Sequence, residues 1–203
     1  MKTVEKDSPS LIERLEKIHP HLMLMYIGVI GSSLIFFFLS LLFISTALQQ
    51  QVAIPLPKSF VFSTAVLLMS SYFAHQYLQH FKHDRPKELS HAANGLLLTG
   101  IIFTVSQIAG WMELSNSGVH LAGKATGAYL YLLPGLHILH LIGGLIYTMV
   151  QALTAKKISK DAVQALIVLS SQYELVKARM LTVYWHFLDV VWVILFLSFL
   201  LLL

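Results

Sequence analysis

Long apolar stretches alternate with short polar ones along this chain of 203 residues. Five of the apolar stretches are long enough to cross about 30 Å of hydrocarbon, since a helix rises about 1.5 Å per residue. Lipid offers the backbone no hydrogen-bond partners, so a stretch that crosses it must be helical. The pattern therefore predicts five membrane-spanning helices, at approximately residues 22–48, 59–79, 92–112, 128–153 and 181–203.

The composition agrees with this class of protein. Hydrophobic residues make up 56% of the chain, charged residues only 12%, and the mean hydropathy is +0.71. Soluble domains carry about 25% charged residues. We therefore expect an all-α integral membrane bundle in which residues 1–203 form one membrane domain.

The Lys and Arg residues predict the orientation of this bundle. Of the 14, only Lys58 and Lys124 lie in the two loops that follow the first and third spans, and the other 12 lie on the opposite side. By the positive-inside rule the N-terminus is cytoplasmic and the C-terminus lies on the outer face. The net charge of +4 is thus a membrane signal, and no nucleic-acid partner is predicted.

Two segments are expected to lie along the membrane surface. Residues 1–21 contain a capping-box pattern, Ser10 with Glu13, before an apolar stripe. Residues 154–180 form the cytoplasmic connection between the fourth and fifth spans, and the apolar part within it is too short to cross. We expect this connection to be amphipathic. No cleavable signal peptide is expected, because the first apolar run is too long and follows a mixed-charge leader.

Polar residues inside the predicted spans are the candidate functional residues. Asp189 near the bilayer centre costs about 2.5–3.5 kcal/mol unless a partner satisfies it. His75 and His186 are expected at similar depth, while His137 and His140 share one face of the fourth span. We expect these five residues to form a buried polar group in which a histidine is the partner of Asp189.

Several roles are open to these residues. His137 and His140 can be interhelical hydrogen-bonding groups or haem ligands, although a bis-histidine haem needs ligands on different helices. Asp189 with His186 can be a structural pair or can handle protons. The chain has no cysteine, which excludes iron–sulfur clusters held by thiolates and copper centres bridged by thiolates. A di-iron site built on a histidine box that includes His75 is not favoured, because too few histidines are clustered, and no metal ligand is predicted.

Small residues on two spans are expected to let helices approach closely. They occur at small-xxx-small spacing on the first span and as single or paired glycines on the fourth. These candidate packing positions are Gly28, Ser32, Gly135, Gly143 and Gly144.

Four stretches match the motifs of one family in order and spacing. GLHILHLIGGLIYT at 135–148 matches G-x-H-x-x-H-x-x-x-G, and YWHFLDVVW at 184–192 matches Y-W-H-F-V-D-x-V-W. SSYFAHQYL at 70–78 is similar to a serine-rich helix that ends in Ala-His, and SQIAGWMEL at 106–114 to the Gln and aromatic-Glu segment that follows. Over residues 20–203 the chain therefore resembles subunit III of the haem-copper oxidases, in its short bacterial form.

The resemblance implies a fold and a role. Five-span members occur in bacterial quinol oxidases and cytochrome c oxidases, as multi-pass proteins of the cytoplasmic membrane. Such a subunit has no catalytic residue, haem or copper of its own, since these belong to partner subunits. It packs against subunit I, which reduces oxygen and pumps protons, and it stabilises that subunit and supports proton uptake. Subunit II, other oxidase subunits and bound phospholipid are the further partners that the resemblance implies.

Residue by residue, the resemblance marks eight positions in these motifs. They are His75, Glu113, His137, His140, Tyr184, Trp185, His186 and Asp189. The chain departs from the family at one place, because the first span has Ser33 where members commonly carry a glutamate in S-E-x-x-F-F. No role of that carboxylate carries over to this chain.

Two alternatives to the oxidase hypothesis are kept. The first is a related partner of a nitric oxide reductase, because that family shares the last-helix motif. The second belongs to another class, a haem b membrane anchor or electron carrier, because three predicted spans contain histidine.

Overall fold

The computed structural model describes residues 20–50 and 54–203, which form six α-helices. The predicted surface segment at residues 1–21 lies almost wholly outside the described residues. In chain order the helices are α1 (Pro20–Gln50), α2 (Lys58–Lys82), α3 (Pro86–Asn116), α4 (Ala125–Ile158), α5 (Ala162–Leu169) and α6 (Gln172–Leu202).

The helices α1, α3, α4 and α6 are each long and apolar enough to cross a membrane. The all-α membrane class predicted from the sequence is thereby confirmed. The predicted second span lies within α2, which has 25 residues but falls outside this apolar set. The number of spans therefore stays a prediction.

The helices pack in a regular order. α3 lies between α2 and α4, while α6 packs against α1, α2 and α4. α1 packs mainly against α4 and α6 and has the smallest buried share of the four apolar helices. The centre of the bundle is aromatic: the Phe103 and Trp192 rings meet edge to face at 5.0 Å, and Phe60 meets Trp192 at 5.7 Å.

Side-chain caps divide the connection between α4 and α6. Asp161 Oδ1 accepts hydrogen bonds from the backbone amides of Val163 and Gln164 at 2.9 and 3.2 Å, which starts α5. Ser171 Oγ accepts from the Glu174 amide at 3.4 Å, which starts α6. The predicted connection at 154–180 thus contains the end of α4, all of α5 and the beginning of α6.

One end of the bundle collects most of the charge. A groove of about 570 Å³ is lined jointly by the turn between α2 and α3, by α5 and by the start of α6, so these elements lie at the same end. This end, called the basic end below, carries eight Lys and Arg but four Asp and Glu: Lys82, Arg85, Lys87, Lys156, Lys157, Lys160, Lys177, Arg179, Asp84, Glu88, Asp161 and Glu174. The charged residues of the opposite end, within the described part of the chain, are Lys58, Glu113 and Lys124.

Candidate functional site

Asp189 lies near the middle of α6 and faces α2. It is 7% exposed, and its Oδ1 accepts a hydrogen bond from Ser70 Oγ at 3.3 Å. Its Oδ2 lies 3.6 Å from His186 Nδ1 and receives no hydrogen bond from any described residue. The structure therefore places the expected histidine beside the carboxylate, while a serine of the neighbouring helix donates the direct hydrogen bond.

His186 lies about one turn before Asp189 on α6 and contacts both Asp189 and α2. The ring is half-buried, and its Nδ1 lies 3.1 Å from Ser71 Oγ. The Ser71 hydroxyl and the Asp189 carboxyl group thus both lie next to the same ring nitrogen of His186, Nδ1. A nucleophilic triad needs the serine and the carboxylate on opposite nitrogens, so that the ring can pass a proton between them. The geometry here instead suits hydrogen bonding between α2 and α6.

Tyr184 and Trp185 bind the same segment of α6 to α4. The Tyr184 hydroxyl donates to the carbonyl oxygen of His140 at 2.9 Å. Trp185 Nε1 donates to Thr148 Oγ1 at 2.8 Å, and both of these groups are buried. Residues 184–189 therefore hold α6 against two neighbouring helices at once.

His140 connects α4 with α1. Its Nδ1 donates to the carbonyl oxygen of Leu136, one turn earlier, at 2.8 Å. Its Nε2 lies 3.2 Å from the Ser32 hydroxyl oxygen, within hydrogen-bonding distance. Ser32, expected only as a small packing residue, thus supplies an interhelical hydrogen bond.

His137 lies in an aromatic enclosure built by three other helices. It is fully buried, and neither ring nitrogen has a hydrogen-bond partner among the described residues. Its ring centroid lies 5.5 Å from those of Phe103 and Trp192 and 6.3 Å from Phe36. Phe36 also meets the ring of His140 at 5.4 Å. The shared face that the spacing predicted for the two histidines is thus present.

His75 is not part of the buried polar group, and its predicted position there is wrong. The residue is exposed, and Gln79 Nε2 on its own helix donates to its Nε2 at 3.4 Å. A helix turns roughly 100° per residue, so position 75 points about 140° away from Ser70. Ala74 takes the inward position instead, where its carbonyl oxygen accepts from Thr182 Oγ1 at 3.1 Å.

Gly28 likewise does not pack as predicted. A Cβ atom at this position would meet nothing within 4 Å. Ser32 already lies at the edge of the buried face of α1, and four residues at roughly 100° each carry Gly28 about 40° further out. The expected close approach at Gly28 is therefore wrong for contacts within this chain.

The predicted glycines of α4 do lie against other helices. A Cβ atom on Gly144 would stand 3.1 Å from the Tyr184 ring, and one on Gly143 would stand 3.8 Å from its hydroxyl. A Cβ atom on Gly135 would be 3.6 Å from Trp111. Of the three, Gly144 is in the tightest contact, so it sets the distance between α4 and α6.

The tightest glycine contacts lie on α3, at positions that were not among the packing residues predicted from the sequence. A Cβ atom on Gly110 would overlap the Phe60 ring, and one on Gly100 would come within 2.7 Å of Trp185. Gly95 meets Phe73 in the same way. These glycines are five and ten residues apart, so a search for small residues at spacing four cannot find them. The sequence did offer one signal of this close packing, the presence of three glycines within a single apolar helix.

Glu113 lies at the end of the bundle opposite the basic end and caps α2. Its Oε2 accepts from the Lys58 amide at 2.7 Å, and its Oε1 accepts from the Ser59 amide at 3.2 Å and also from the Ser59 hydroxyl. Pro57, the residue at the N-cap, makes no side-chain hydrogen bond. A carboxylate satisfies these free amides and suits the positive end of the helix dipole. The family position at 113 thus has a structural role.

Gln50 caps α4 at the same end. Its Oε1 accepts from the Thr126 amide at 3.2 Å and from the Thr126 hydroxyl at 2.8 Å. The end of α1 is thereby tied to the start of α4. Two helix starts at this end are therefore completed by side chains of other helices.

Within residues 20–50 and 54–203, no group of three or more His, Asp or Glu side chains is arranged to hold a metal ion. His137 instead lies in an aromatic enclosure, and His140 and His186 form hydrogen bonds between helices.

These features define a class: a multi-pass membrane protein of packed helices, whose buried polar side chains join one helix to the next. Comparison with known families then identifies the chain. The sequence model for cytochrome c oxidase subunit III matches residues 23–202, so the chain belongs to the cytochrome c oxidase subunit III family. The resemblance inferred from the four motifs is confirmed.

Individual relatives agree with this family. The chain is 31% identical over 103 residues to the probable cytochrome c oxidase subunit 3 of Nocardia farcinica, covering 49% of this chain and 44% of the relative. It is 25% identical over 133 residues to the probable quinol oxidase subunit 3 of Staphylococcus aureus, covering 66% and 61%. The matched part of the chain thus spans less than two thirds of the length of these relatives.

Proposed function

We propose that this chain is an accessory subunit III of a proton-pumping haem-copper terminal oxidase, which passes electrons to oxygen in aerobic respiration. The observation that carries the proposal is the family match over residues 23–202, together with relatives named for both cytochrome c and quinol oxidases. In this proposal subunits I and II are the partners, haem and copper belong to them, and this chain has no catalytic centre.

The proposed topology has five spans, with α2 as the second. The support comes from the exposed side of α2, which is apolar although its buried side carries Ser63 and Ser70. The exposed residues between positions 61 and 72 are Val61, Phe62, Ala65, Leu68, Met69 and Tyr72. A helix with polar groups inside and apolar groups outside suits lipid, where only the inward side chains find hydrogen-bond partners.

The proposed orientation places the basic end in the cytoplasm of a bacterium. The described residues carry eight Lys and Arg at that end and two at the other, which suits the positive-inside rule. In this orientation the N-terminus is cytoplasmic and the C-terminus lies on the outer face of the cytoplasmic membrane.

The proposed role of the buried polar group is to fix the bundle against subunit I and so to support proton uptake by that subunit. The hydrogen bonds from residues 184–189 to α2 and α4 support this role, because they set the relative position of three helices. A bound phospholipid is also proposed, and the apolar groove of about 420 Å³ between α1 and α6 is wide enough for an acyl chain.

The test begins with affinity purification of the tagged chain in mild detergent. A haem-copper subunit I should co-purify, and its haem should account for the whole reduced-minus-oxidised spectrum. If no such subunit is recovered, the proposal fails. About one haem per chain in the isolated protein would also overturn it, in favour of an electron carrier.

A substitution tests the accessory role. Asp189→Asn keeps an oxygen that can accept from Ser70 but replaces the ionisable carboxyl group beside His186 by an amide, so we expect weaker association with subunit I or faster inactivation during turnover. Ser198→Ala is the control, since Ser198 lies on the exposed side of α6 and bonds only to its own helix. Complete loss of oxygen reduction in a normally assembled Asp189→Asn complex would contradict the accessory role.

A further inference from the structure

The short helix α5 turns its most apolar face away from the protein. Val163, Leu166 and Ile167 are 68%, 73% and 65% exposed and, at spacings of three and four, form one face. The opposite face carries Ala165, which is 7% exposed, with Leu169 packed against the core. In water such an outward face would be unfavourable, so it calls for an apolar contact beyond residues 20–50 and 54–203.

Three lysines precede this face in the chain. Lys156 and Lys157 lie in the last turn of α4, Lys160 lies two residues before α5 begins, and all three are exposed. Within residues 20–50 and 54–203 none of them forms an ion pair. The carboxylate nearest to them in the chain, Asp161, caps α5. Three lysines against this one carboxylate leave the segment before the apolar face with a net positive charge.

The position of α5 fits the boundary between the hydrocarbon and the headgroups. Three residues separate it from α4 and two from α6, so it lies level with the ends of two helices that are long enough to span. At this level a side chain can enter the acyl region while a lysine three to eleven residues earlier stays among the headgroups.

We infer that α5 is an interfacial anchor that inserts Val163, Leu166 and Ile167 into the cytoplasmic leaflet, while Lys156, Lys157 and Lys160 bind the phosphates of anionic phospholipids. This inference rests on the orientation proposed above. Anionic lipid is favoured over a protein partner because it supplies both halves of the contact, an acyl layer for the apolar face and negative charge for the lysines.

The absence of cysteine allows a clean test of depth in the full chain. Leu166→Cys carries an environment-sensitive fluorophore, and Ser159→Cys in the same connection is the control. Each labelled protein is placed in nanodiscs of phosphatidylcholine alone or with phosphatidylglycerol. We expect the label at 166 to be blue-shifted and quenched by acyl-chain nitroxides several-fold more strongly than the label at 159, with the difference increasing when phosphatidylglycerol is present.

A charge variant tests the lysines. Lys156→Gln, Lys157→Gln and Lys160→Gln, combined in the Leu166→Cys background, should remove the effect of phosphatidylglycerol but keep the insertion. If the label at 166 is as water-accessible as that at 159 in both lipids, the inference is wrong. Protection of 166 only after subunit I is added would instead assign the face to a protein partner. Co-purification with subunit I is read separately, so the proposed function can hold when this inference fails.

Discussion

Replacing two glycines by alanine should change stability in opposite directions, although both lie inside apolar helices. Gly110 on α3 is buried, and a Cβ atom there would overlap the Phe60 ring. Gly28 on α1 is exposed, and a Cβ atom there would meet nothing within 4 Å. The two substitutions are chemically identical, so the difference between them measures the close packing of α2 against α3.

The structure gives the size of each effect. In a helix interior alanine is favoured over glycine by about 0.5–1 kcal/mol, which is the whole effect expected at Gly28. At Gly110 the Phe60 ring must move, although it is fully buried and held edge to face by Trp192 at 5.7 Å. Overpacking of this kind costs about 1–3 kcal/mol, and the ring also loses part of its aromatic contacts. Gly110→Ala should therefore destabilise by about 1–3 kcal/mol, while Gly28→Ala should stabilise by about 0.5–1 kcal/mol.

The assay is unfolding of the purified chain in mixed micelles by increasing SDS, followed by tryptophan fluorescence. Trp192, one of three tryptophans in the chain, contacts Phe60, so part of the signal reports on the affected region. Subunit I recovered with each variant gives a second readout. If Gly110→Ala proves as stable as Gly28→Ala, then Phe60 is not confined and the packing argument is refuted.

Further substitutions test single contacts by the same unfolding assay. Glu113→Ala removes the cap of α2 and should cost about 0.5–2 kcal/mol, whereas Glu113→Gln keeps an acceptor and should cost less; equal losses would contradict the capping role. His137→Phe keeps an aromatic ring and removes two unpartnered nitrogens, so it should be tolerated, while His137→Ala should lose about 2–5 kcal/mol by leaving a cavity. Thr64→Val keeps the size of the side chain but removes the acceptor of the 3.0 Å hydrogen bond from Trp192 Nε1; it should cost about 1–3 kcal/mol, and an unchanged midpoint would show that this bond contributes nothing.

Much of the fold follows from the pattern of apolar residues, because lipid imposes a minimum length on every span. Two helices, for example, run several residues beyond the predicted spans: α3 at Pro86–Asn116 around 92–112, and α4 at Ala125–Ile158 around 128–153. Hydropathy could not give these ends. They depend on turns and caps, such as Asp161 at α5, that continue outside the apolar segment.

The candidate site was only partly predictable. The motif of the last helix located Asp189 and His186, and the i,i+3 spacing correctly placed His137 and His140 on one face. His75 was misplaced because depth along a span says nothing about direction around the helix. That direction is set by tertiary packing, here by the Ser70 face of α2 against α6.

The caps at the end opposite the basic end have a consequence for biogenesis. The first amides of α2, at Lys58 and Ser59, are completed by residue 113, and those of α4 by residue 50. During synthesis, therefore, the first amides of α2 have no cap until Glu113, near the end of α3, has been made. These two helices thus mature as one hairpin. The side chain of Gln50, at the end of α1, meets its partner only when Thr126 emerges, after the α2–α3 hairpin has been made.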